Sequence, residues 1–155
     1  MRTFAILKPD LVAYPPLAAK ILERILSSRL RIHRAARLRI RREEASELYG
    51  EHRERFFFPR LLRHICSGPA VIMELHNDSA DPVVEWRQLM GPSKFLRDFG
   101  TPDAQTNSIR WSTALSDVRN SVHGADSSES ATRELRVFES KLREVDENEL
   151  RSWFK

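Results

Sequence analysis

The fold follows from a short stretch near the N-terminus, Thr3-Phe4-Ala5-Ile6-Leu7-Lys8-Pro9-Asp10. An apolar run of this length that stops at a Lys-Pro-Asp turn predicts a buried strand. Pro15 and Pro16 then predict the start of a helix, because the first helical turn does not need the N–H that proline lacks. Apolar residues recur on one face of this helix: Leu17, Ile21, Leu22, Ile25 and Leu26.

Two more strands are predicted downstream. Residues 29–42 alternate apolar residues with arginines, as in a strand with one face in water, although residues 33–36 interrupt the alternation. We expect the seven arginines of this segment to face solvent. Residues 70–75 form the most apolar run in the chain and predict a central strand.

Helices and one long loop account for most of the rest. The last helix is predicted to begin at a cap provided by Asp126 or Ser127, with Glu129 completing a capping box. Its buried stripe is predicted to be Ala131, Leu135, Phe138 and Leu142. Other helices are predicted at residues 43–49, through Leu61, Leu62 and Ile65, and at residues 83–90. Residues 91–110 are polar and predict a long loop, which inside a compact domain is usually functional or mobile. This order of elements is that of an α+β sandwich, in which helices cover a mostly antiparallel sheet.

The composition fits a single globular domain. The chain has 155 residues, of which 41% are hydrophobic and 31% charged, proportions typical of folded proteins. We place the domain at residues 1–140 and interpret residues 141–155 as an acidic, frayed tail. The single cysteine, Cys66, excludes an internal disulfide and favours a reducing compartment. No apolar run approaches the roughly 18 residues of a membrane span, so we expect no membrane partner.

Charge is divided unevenly along the chain. The first 66 residues carry 15 Lys or Arg against 7 Asp or Glu, whereas the remainder carries 11 against 15. A basic half is typical of a protein with an anionic partner, or of an arginine-rich surface that only faces water. The five glycines form no glycine-rich phosphate loop. We therefore expect cationic side chains to clamp any bound phosphate.

One segment combines a histidine, a glycine and the start of a helix: Arg119-Asn120-Ser121-Val122-His123-Gly124-Ala125-Asp126-Ser127. A histidine beside glycine is open to a bulky substrate group, and a helix N-terminus offers N–H groups to an anion. An imidazole nitrogen becomes a nucleophile when a carboxylate holds the N–H of the other nitrogen, and Glu134 is placed to do so. The alternative is a surface-turn histidine and an ordinary helical glutamate.

Cationic and aromatic side chains could complete a phosphate site. Lys8 ends the first strand, where its charge would suit phosphate oxygens, and Arg87 or Arg110 could clamp phosphate. Tyr49 and Phe57 flank a polar stretch and could stack on a base. Each also has a structural interpretation, as a solvated cation or a core aromatic. The remaining histidines show no metal-ligand spacing and are interpreted as structural or exposed: His33, His52, His64 and His76.

Read in order, these segments resemble the nucleoside diphosphate kinase family. The resemblance runs from Thr3 to about Phe138, and the string N-x-x-H-G-x-D-S-x-E-S-A that begins at Asn120 is highly specific for the family. The Leu-Met-Gly-Pro run and the long loop after it resemble the divergent branch known as nucleoside diphosphate kinase 6. The other matching segments are Thr3 to Asp10, Tyr49-x-x-His52-x-x-Arg55-x-Phe57-Phe58, Ser67-Gly68-Pro69, Trp86-Arg87-x-Leu89-Met90-Gly91-Pro92 and Ile109-Arg110.

The resemblance implies a ferredoxin-like fold with a four-stranded antiparallel sheet. It also implies transfer of the γ-phosphate of a nucleoside triphosphate to a nucleoside diphosphate, in two half-reactions through a phosphohistidine. By position, His123 would be the nucleophile through Nδ1, Glu134 would orient it, and Phe57 would stack on the base. Mg²⁺ would bridge the phosphates, held by the nucleotide more than by protein carboxylates. The residues around the phosphates and the sugar would be Lys8, Tyr49, Arg87, Ser93, Arg110 and Asn120.

Several residues depart from the family pattern. Ala125 stands where the family usually has a serine that hydrogen-bonds near the catalytic pair. If that bond acted only in the transition state, its loss would cost about 1–2 kcal/mol, or roughly five- to thirty-fold in rate. Ser93 replaces a threonine, Trp111 replaces a glycine, and Asp117 takes a usually apolar position. The loop from Ser93 to Arg110 is longer than in the abundant enzymes. Because that loop usually packs at a trimer interface, we expect a homo-oligomer but not necessarily the family's common hexamer.

Three functions are compatible with these residues. The first is an active nucleoside diphosphate kinase with nucleoside di- and triphosphates as partners. The second is a kinase-like nucleotide-binding or protein-interaction module with little turnover, as Ala125, Trp111 and the long loop suggest. The third, nucleic-acid binding through residues 29–42, is the least favoured. The expected compartment is the cytoplasm or the mitochondrion.

Overall fold

The computed structural model describes residues 1–91, 108–110 and 121–155. Four strands in these residues form one antiparallel sheet in the order β2-β3-β1-β4. The strands are β1 (Arg2–Leu7), β2 (Arg31–Leu38), β3 (Ala70–His76) and β4 (Val122–Gly124). The predicted four-stranded antiparallel sheet is confirmed. The element order inferred from the sequence pattern alone lacked β4, the short helix at Pro9–Val12 and the C-terminal helix at Glu147–Ser152.

Helices pack on both faces of this sheet. They are α1 (Pro9–Val12), α2 (Pro15–Leu26), α3 (Arg42–Leu48), α4 (Phe58–Ile65), α5 (Pro82–Met90), α6 (Ser128–Val137) and α7 (Glu147–Ser152), with a 3₁₀ turn at Gly50–His52. Apart from α3, the 3₁₀ turn and α4, which lie between β2 and β3, the connectivity is β1-α-β2-β3-α-β4, and with this strand order it is ferredoxin-like, as predicted. Within the described part of the chain, no helix has the length and apolarity to cross a membrane.

The unbroken apolar run of β1 is explained by burial on both faces. Successive strand residues point to opposite sides of a sheet, and here each side has its own core. Phe4 and Ile6 belong to a core shared with α3, α4 and α6, whereas Ala5 and Leu7 belong to a core shared with α2 and α5. A strand at the centre of two cores holds the elements of the site at fixed positions.

The interrupted alternation in β2 corresponds to a β-bulge. The pairing register with β3 shifts between Ile32 and Arg34, so that His33 is an extra residue without its own partner. Six of the seven arginines at 29–42 are exposed, as expected. Arg34 is the exception, because its guanidinium group contacts Glu74 and Glu139 and only 19% of the side chain is exposed.

Helix α6 begins after one of the two predicted caps. Ser127 is the cap, and its hydroxyl accepts a hydrogen bond from the N–H of Ser130 at 3.0 Å. The predicted capping box with Glu129 is wrong, because Ser130 and not Glu129 occupies the third helical position.

Residues 141–155 do not fray, contrary to the prediction. Leu142, Leu150 and Phe154 are buried, and Asp146 caps α7 by accepting from the N–H of Glu149 at 2.8 Å. Most acidic residues of this segment are exposed to solvent, while its few apolar residues are buried in the core. The prediction failed because it considered the number of charges and not the positions of the apolar residues between them. The domain boundary at residue 140 stays a prediction.

Candidate active site

His123 lies in the middle of β4, opposite Ile6 of β1. Its Nε2 is 2.5 Å from Oε1 of Glu134, a buried carboxylate on α6. Because an ionised carboxylate only accepts hydrogen bonds, the neutral ring carries its proton on Nε2 and keeps the lone pair on Nδ1. The His123 side chain is 17% exposed, so a ligand can reach it. The structure thus brings together the predicted pair, and the nucleophilic role of Nδ1 stays a prediction.

Aromatic rings fix the orientation of this imidazole. The rings of Tyr49 and Phe4 lie edge-on to it, with centroids 5.7 and 6.0 Å away. Burial of Tyr49, and then the nearby carboxylate of Glu134, raise the pKa of the Tyr49 phenol well above its usual range. The hydroxyl is therefore a hydrogen-bond donor throughout the physiological pH range.

Gly124 is required by the packing of β4 against α5. A Cβ at this position would lie 2.5 Å from the indole of Trp86. The same indole donates from Nε1 to the backbone oxygen of His123 at 3.1 Å. The glycine beside the histidine was expected to serve substrate access, whereas in the structure its missing Cβ lets Trp86 hold the backbone of the histidine.

The backbone before β4 is held by a network that sequence reasoning missed. Ser121 has φ of 76°, which is uncommon for a residue other than glycine. Its N–H donates to Oδ2 of Asp10 at 3.0 Å, and its carbonyl accepts from the N–H of Lys8 at 2.8 Å. The other oxygen of Asp10 contacts Nε2 of His64 at 2.8 Å. Asp10 was visible in the Lys-Pro-Asp turn, but its partner is distant in sequence and the pattern gave no sign of it.

Two buried cations lie beside the histidine strand. Burial, and then the positive charge of Arg110, lower the pKa of Lys8 to about 7, and Asp10 partly opposes this. Arg110 donates to the carbonyls of Gly91 and Val122 at 2.8 and 2.9 Å. Its Nε has no hydrogen-bond partner among the residues described. An anion beside these two groups would satisfy the remaining N–H of Arg110 and stabilise the charged form of Lys8, which burial and Arg110 disfavour. The pair therefore favours an anionic ligand.

The remaining predicted residues divide into those the structure places and those it does not. Arg87 is exposed on α5, and its charge is one of the influences that lower the pKa of Arg110 to about 10, after burial. Phe57 is half-buried with its ring 5.5 Å from that of His52, which lies 6.5 Å from Tyr49. A row of rings therefore leads from Phe57 to the imidazole. The predicted residues outside the described part of the chain are Ser93, Trp111, Asp117 and Asn120.

The carboxylates of this site are already engaged with protein groups. Asp10 holds Ser121 and His64, and Glu134 holds His123. The described groups around the histidine are therefore mainly cations and N–H groups. A site made by the protein alone for Mg²⁺ would instead need several free oxygen ligands. These residues fit a Mg²⁺ ion that arrives bound to nucleotide phosphates, and they supply cations for the remaining phosphate charge.

A histidine oriented by a buried carboxylate and flanked by cations is the kind of site that transfers phosphoryl groups. A family model described as nucleoside diphosphate kinase matches residues 1–143. The chain belongs to the nucleoside diphosphate kinase family.

Individual relatives agree with this assignment. Human nucleoside diphosphate kinase 6 is 39% identical over 136 residues, covering 88% of this chain and 70% of the human protein. The nucleoside diphosphate kinase of Deinococcus radiodurans is 39% identical over 137 residues, covering 88% and 93% of the two chains. The predicted family is thus confirmed, and the resemblance to nucleoside diphosphate kinase 6 is confirmed with it.

Solved structures of the family share the fold. The Aquifex aeolicus nucleoside diphosphate kinase superposes with a TM-score of 0.78 at 33% identity, covering 88% of this chain and 93% of that one. The enzyme from Halobacterium salinarum, in complex with CDP, gives 0.79 at 29% identity, covering 100% and 99%. The ferredoxin-like prediction is confirmed by these likenesses together with the strand order.

Proposed function

We propose that this chain transfers the γ-phosphate of a nucleoside triphosphate such as ATP to a nucleoside diphosphate, by a ping-pong mechanism through a phosphohistidine at His123. The observation that carries the proposal is the 2.5 Å contact between Nε2 of His123 and Oε1 of Glu134. That contact keeps the proton on Nε2 and leaves Nδ1 with the lone pair that attack on phosphorus requires.

The two half-reactions balance without an outside proton donor. In the first, Nδ1 forms a bond to the γ-phosphorus while the bond from that phosphorus to the β–γ bridging oxygen breaks, and the diphosphate leaves. In the second, a terminal oxygen of the acceptor diphosphate attacks the same phosphorus and the Nδ1–P bond breaks. While Nδ1 carries the phosphoryl group the ring gains positive charge, and the buried carboxylate of Glu134 stabilises that charge through the N–H of Nε2.

Side-chain cations take the role of a phosphate loop in this proposal. Phosphoryl transfer through a loose transition state depends on positioning and charge neutralisation. Lys8 and Arg110 would contact phosphate oxygens, and Arg87 would approach from the exposed end of α5. Mg²⁺ bound to the nucleotide supplies further neutralisation of the phosphate charge. Tyr49, Ser93 and Asn120 would bind phosphate or sugar, and Phe57 would stack on the base.

The test is transfer of radioactive phosphate from ATP labelled at the γ position. We expect the wild-type chain to take up phosphate that is labile in acid and stable in base, and to pass it to GDP. His123→Ala should take up none. His33→Ala is the matched control, since it removes a histidine at the other end of the sheet, and it should label like wild type. Equal labelling of His123→Ala, or no labelling of a wild-type chain that binds ATP, would contradict the proposal.

Ala125 favours a second candidate function, a kinase-like nucleotide-binding or protein-interaction module with little turnover. The residue is buried directly after the histidine strand, and its N–H donates to the carbonyl of Phe4 at 3.3 Å. This position therefore supplies a methyl group and no hydroxyl near the His123–Glu134 pair. The module would bind ADP but would not exchange phosphate between ATP and GDP, so the labelling experiment separates the two functions.

A further inference from the structure

Three metal-ligand side chains meet at the end of the sheet away from His123. They are His33 on β2 and Glu74 and His76 on β3, and one ligand atom from each lies within 4.8 Å of the other two. The two imidazole rings are 4.5 Å apart between centroids, and Nε2 of His76 is 2.7 Å from Oε1 of Glu74. These histidines show no metal-ligand spacing in the sequence, because the cluster forms only when β2 pairs with β3.

Strand pairing places His33 beside the other two ligands. Glu74 and His76 are two residues apart on β3 and share one face of the sheet. Ile32 pairs with Leu75 on the other face, so His33, the next residue along β2, falls on the face of Glu74 and His76, where its ring lies 4.5 Å from that of His76. Because of the bulge, Arg34 pairs with Glu74 and His33 has no ladder partner of its own. Bulges are common next to functional sites.

The carboxylate of Glu74 is oriented with one oxygen available. Its Oε2 accepts from Nε of Arg34 at 2.6 Å, and Arg34 is also held by Glu139. This leaves Oε1 directed toward His76. Burial would raise the pKa of Glu74, but the bonds from His76 and Arg34 outweigh it and hold that pKa below its usual value. An ionised carboxylate with one oxygen fixed by an arginine resembles the supported ligands of metal sites.

We propose that His33, Glu74 and His76 bind a transition-metal dication of the zinc type, with one position left for water. Two imidazoles and one carboxylate suit Zn²⁺ and its neighbours in the first row, and hard cations such as Mg²⁺ less well. Bonds of about 2.0–2.2 Å to one ion bring ligand atoms to roughly 3.3 Å from one another. Nε2 of His76 and Oε1 of Glu74, now 2.7 Å apart, must therefore separate slightly, while the ligand atom of His33 lies within 4.8 Å of both. Modest rotation of the two partly exposed rings achieves this spacing. The ion replaces the proton that now lies between His76 and Glu74, and that proton leaves or moves to Nδ1 of His76.

One neighbouring charge opposes this site. Nη1 of Arg2 is 3.6 Å from Oε1 of Glu74, and 44% of the Arg2 side chain is exposed. The guanidinium group can therefore swing into solvent when the ion enters, at some cost in affinity. The charge of Arg34 is balanced by Glu74 and Glu139 and adds little repulsion.

The cluster is separate from the candidate active site. Strand β1 pairs Arg2 with His76 and Ile6 with His123, so the two lie about 13 Å apart along the strand direction alone. Metal binding here therefore does not depend on the proposed kinase activity.

The test is metal titration of the chelator-treated chain, with Co²⁺ followed by visible absorption and Zn²⁺ by calorimetry. We expect one ion per chain at this site, and at least about 100-fold weaker binding in His33→Ala and in His76→Ala, since a lost ligand costs no less than a lost supporting residue. His123→Ala is the control that keeps the site, and it should bind as tightly as wild type. Arg2→Gln, which removes the opposing charge, should bind several-fold tighter.

Melting curves show whether each variant still folds. Without metal, His33→Ala should melt like the wild-type chain, and Zn²⁺ should raise the melting temperature of wild type but not that of His33→Ala. Wild-type affinity in both histidine variants, or loss of the ion in His123→Ala, would overturn the proposal.

Discussion

The ionisation of Lys8 is set by its place in the fold. Its pKa is lowered from 10.5 to about 7, first by burial and then by Arg110. Between those values the unfolded chain holds a proton that the folded chain has released. Stability therefore rises with pH through this window, because the unfolded state binds more protons there.

Nucleotide binding should show the opposite dependence on pH. A phosphate beside Lys8 favours the charged amine, so above pH 7 the chain must take up a proton when ADP binds. We expect the Kd for ADP, measured by calorimetry, to rise by up to about tenfold per pH unit from pH 7 to 9. Lys8→Met should bind more weakly, with a flat profile over the same range. A wild-type profile as flat as that of the variant would rule out this role for Lys8.

Gly124 allows a second prediction at the residue scale. Gly124→Ala places a methyl group 2.5 Å from the indole of Trp86, and crowding of this kind lowers the free energy of unfolding by about 1–3 kcal/mol. The matched control is Gly50→Ala, since a Cβ there meets nothing within 4 Å. Urea denaturation of both variants measures the difference. Equal stability of the two variants would contradict the prediction, because it would mean that the Trp86 side chain moves aside at little cost.

At the scale of elements, α7 shows how few apolar contacts can dock a charged segment. Only Leu150 of this helix is buried, with Phe154 just beyond its end. Salt bridges from Arg151 to Glu23 and Glu147 lie at the surface, where such pairs contribute little. Docking of α7 therefore depends on its two apolar anchors.

Truncation of one anchor should reveal that dependence. Leu150→Ala should lower the free energy of unfolding by about 2–5 kcal/mol, as expected for a buried leucine. The exposed neighbour Asn148 provides the control, because Asn148→Ala removes no core contact and should change stability by under about 0.5 kcal/mol. Chemical denaturation followed by circular dichroism measures both variants. If Leu150→Ala lowers the free energy of unfolding no more than the control does, the segment is not docked and behaves as a frayed tail.

For the molecule as a whole, the features that could be predicted from the sequence are those that leave a long apolar pattern or a specific motif. Strands β1 and β3, the helix stripes and the pairing of His123 with Glu134 belong to this group. Strand β4 has three residues, too few to show an alternation. The bulge at His33 and the bond from Ser121 to Asp10 depend on partners remote in sequence, and only tertiary packing brings those partners together.

Both cores share β1 and β3, which predicts a single cooperative unfolding transition. Neither core can come apart without opening the strands that support the other. Far-UV circular dichroism and tryptophan fluorescence should therefore give coincident urea curves. Separate midpoints for the two signals would show that one core unfolds independently.

The backbone bridge between Ala35 and Arg143 has a consequence for how copies of the chain meet. Strand β2 is an edge of the sheet, and the N–H of Ala35 donates to the carbonyl of Arg143 at 2.8 Å. Open strand edges are templates on which other chains add and aggregate. The segment that follows α6 blocks part of this edge, and the bulge at His33 makes the adjoining part irregular. The segment that completes the core thus also protects the chain from aggregation. A variant that releases this segment loses core packing and exposes the edge of β2 at the same time.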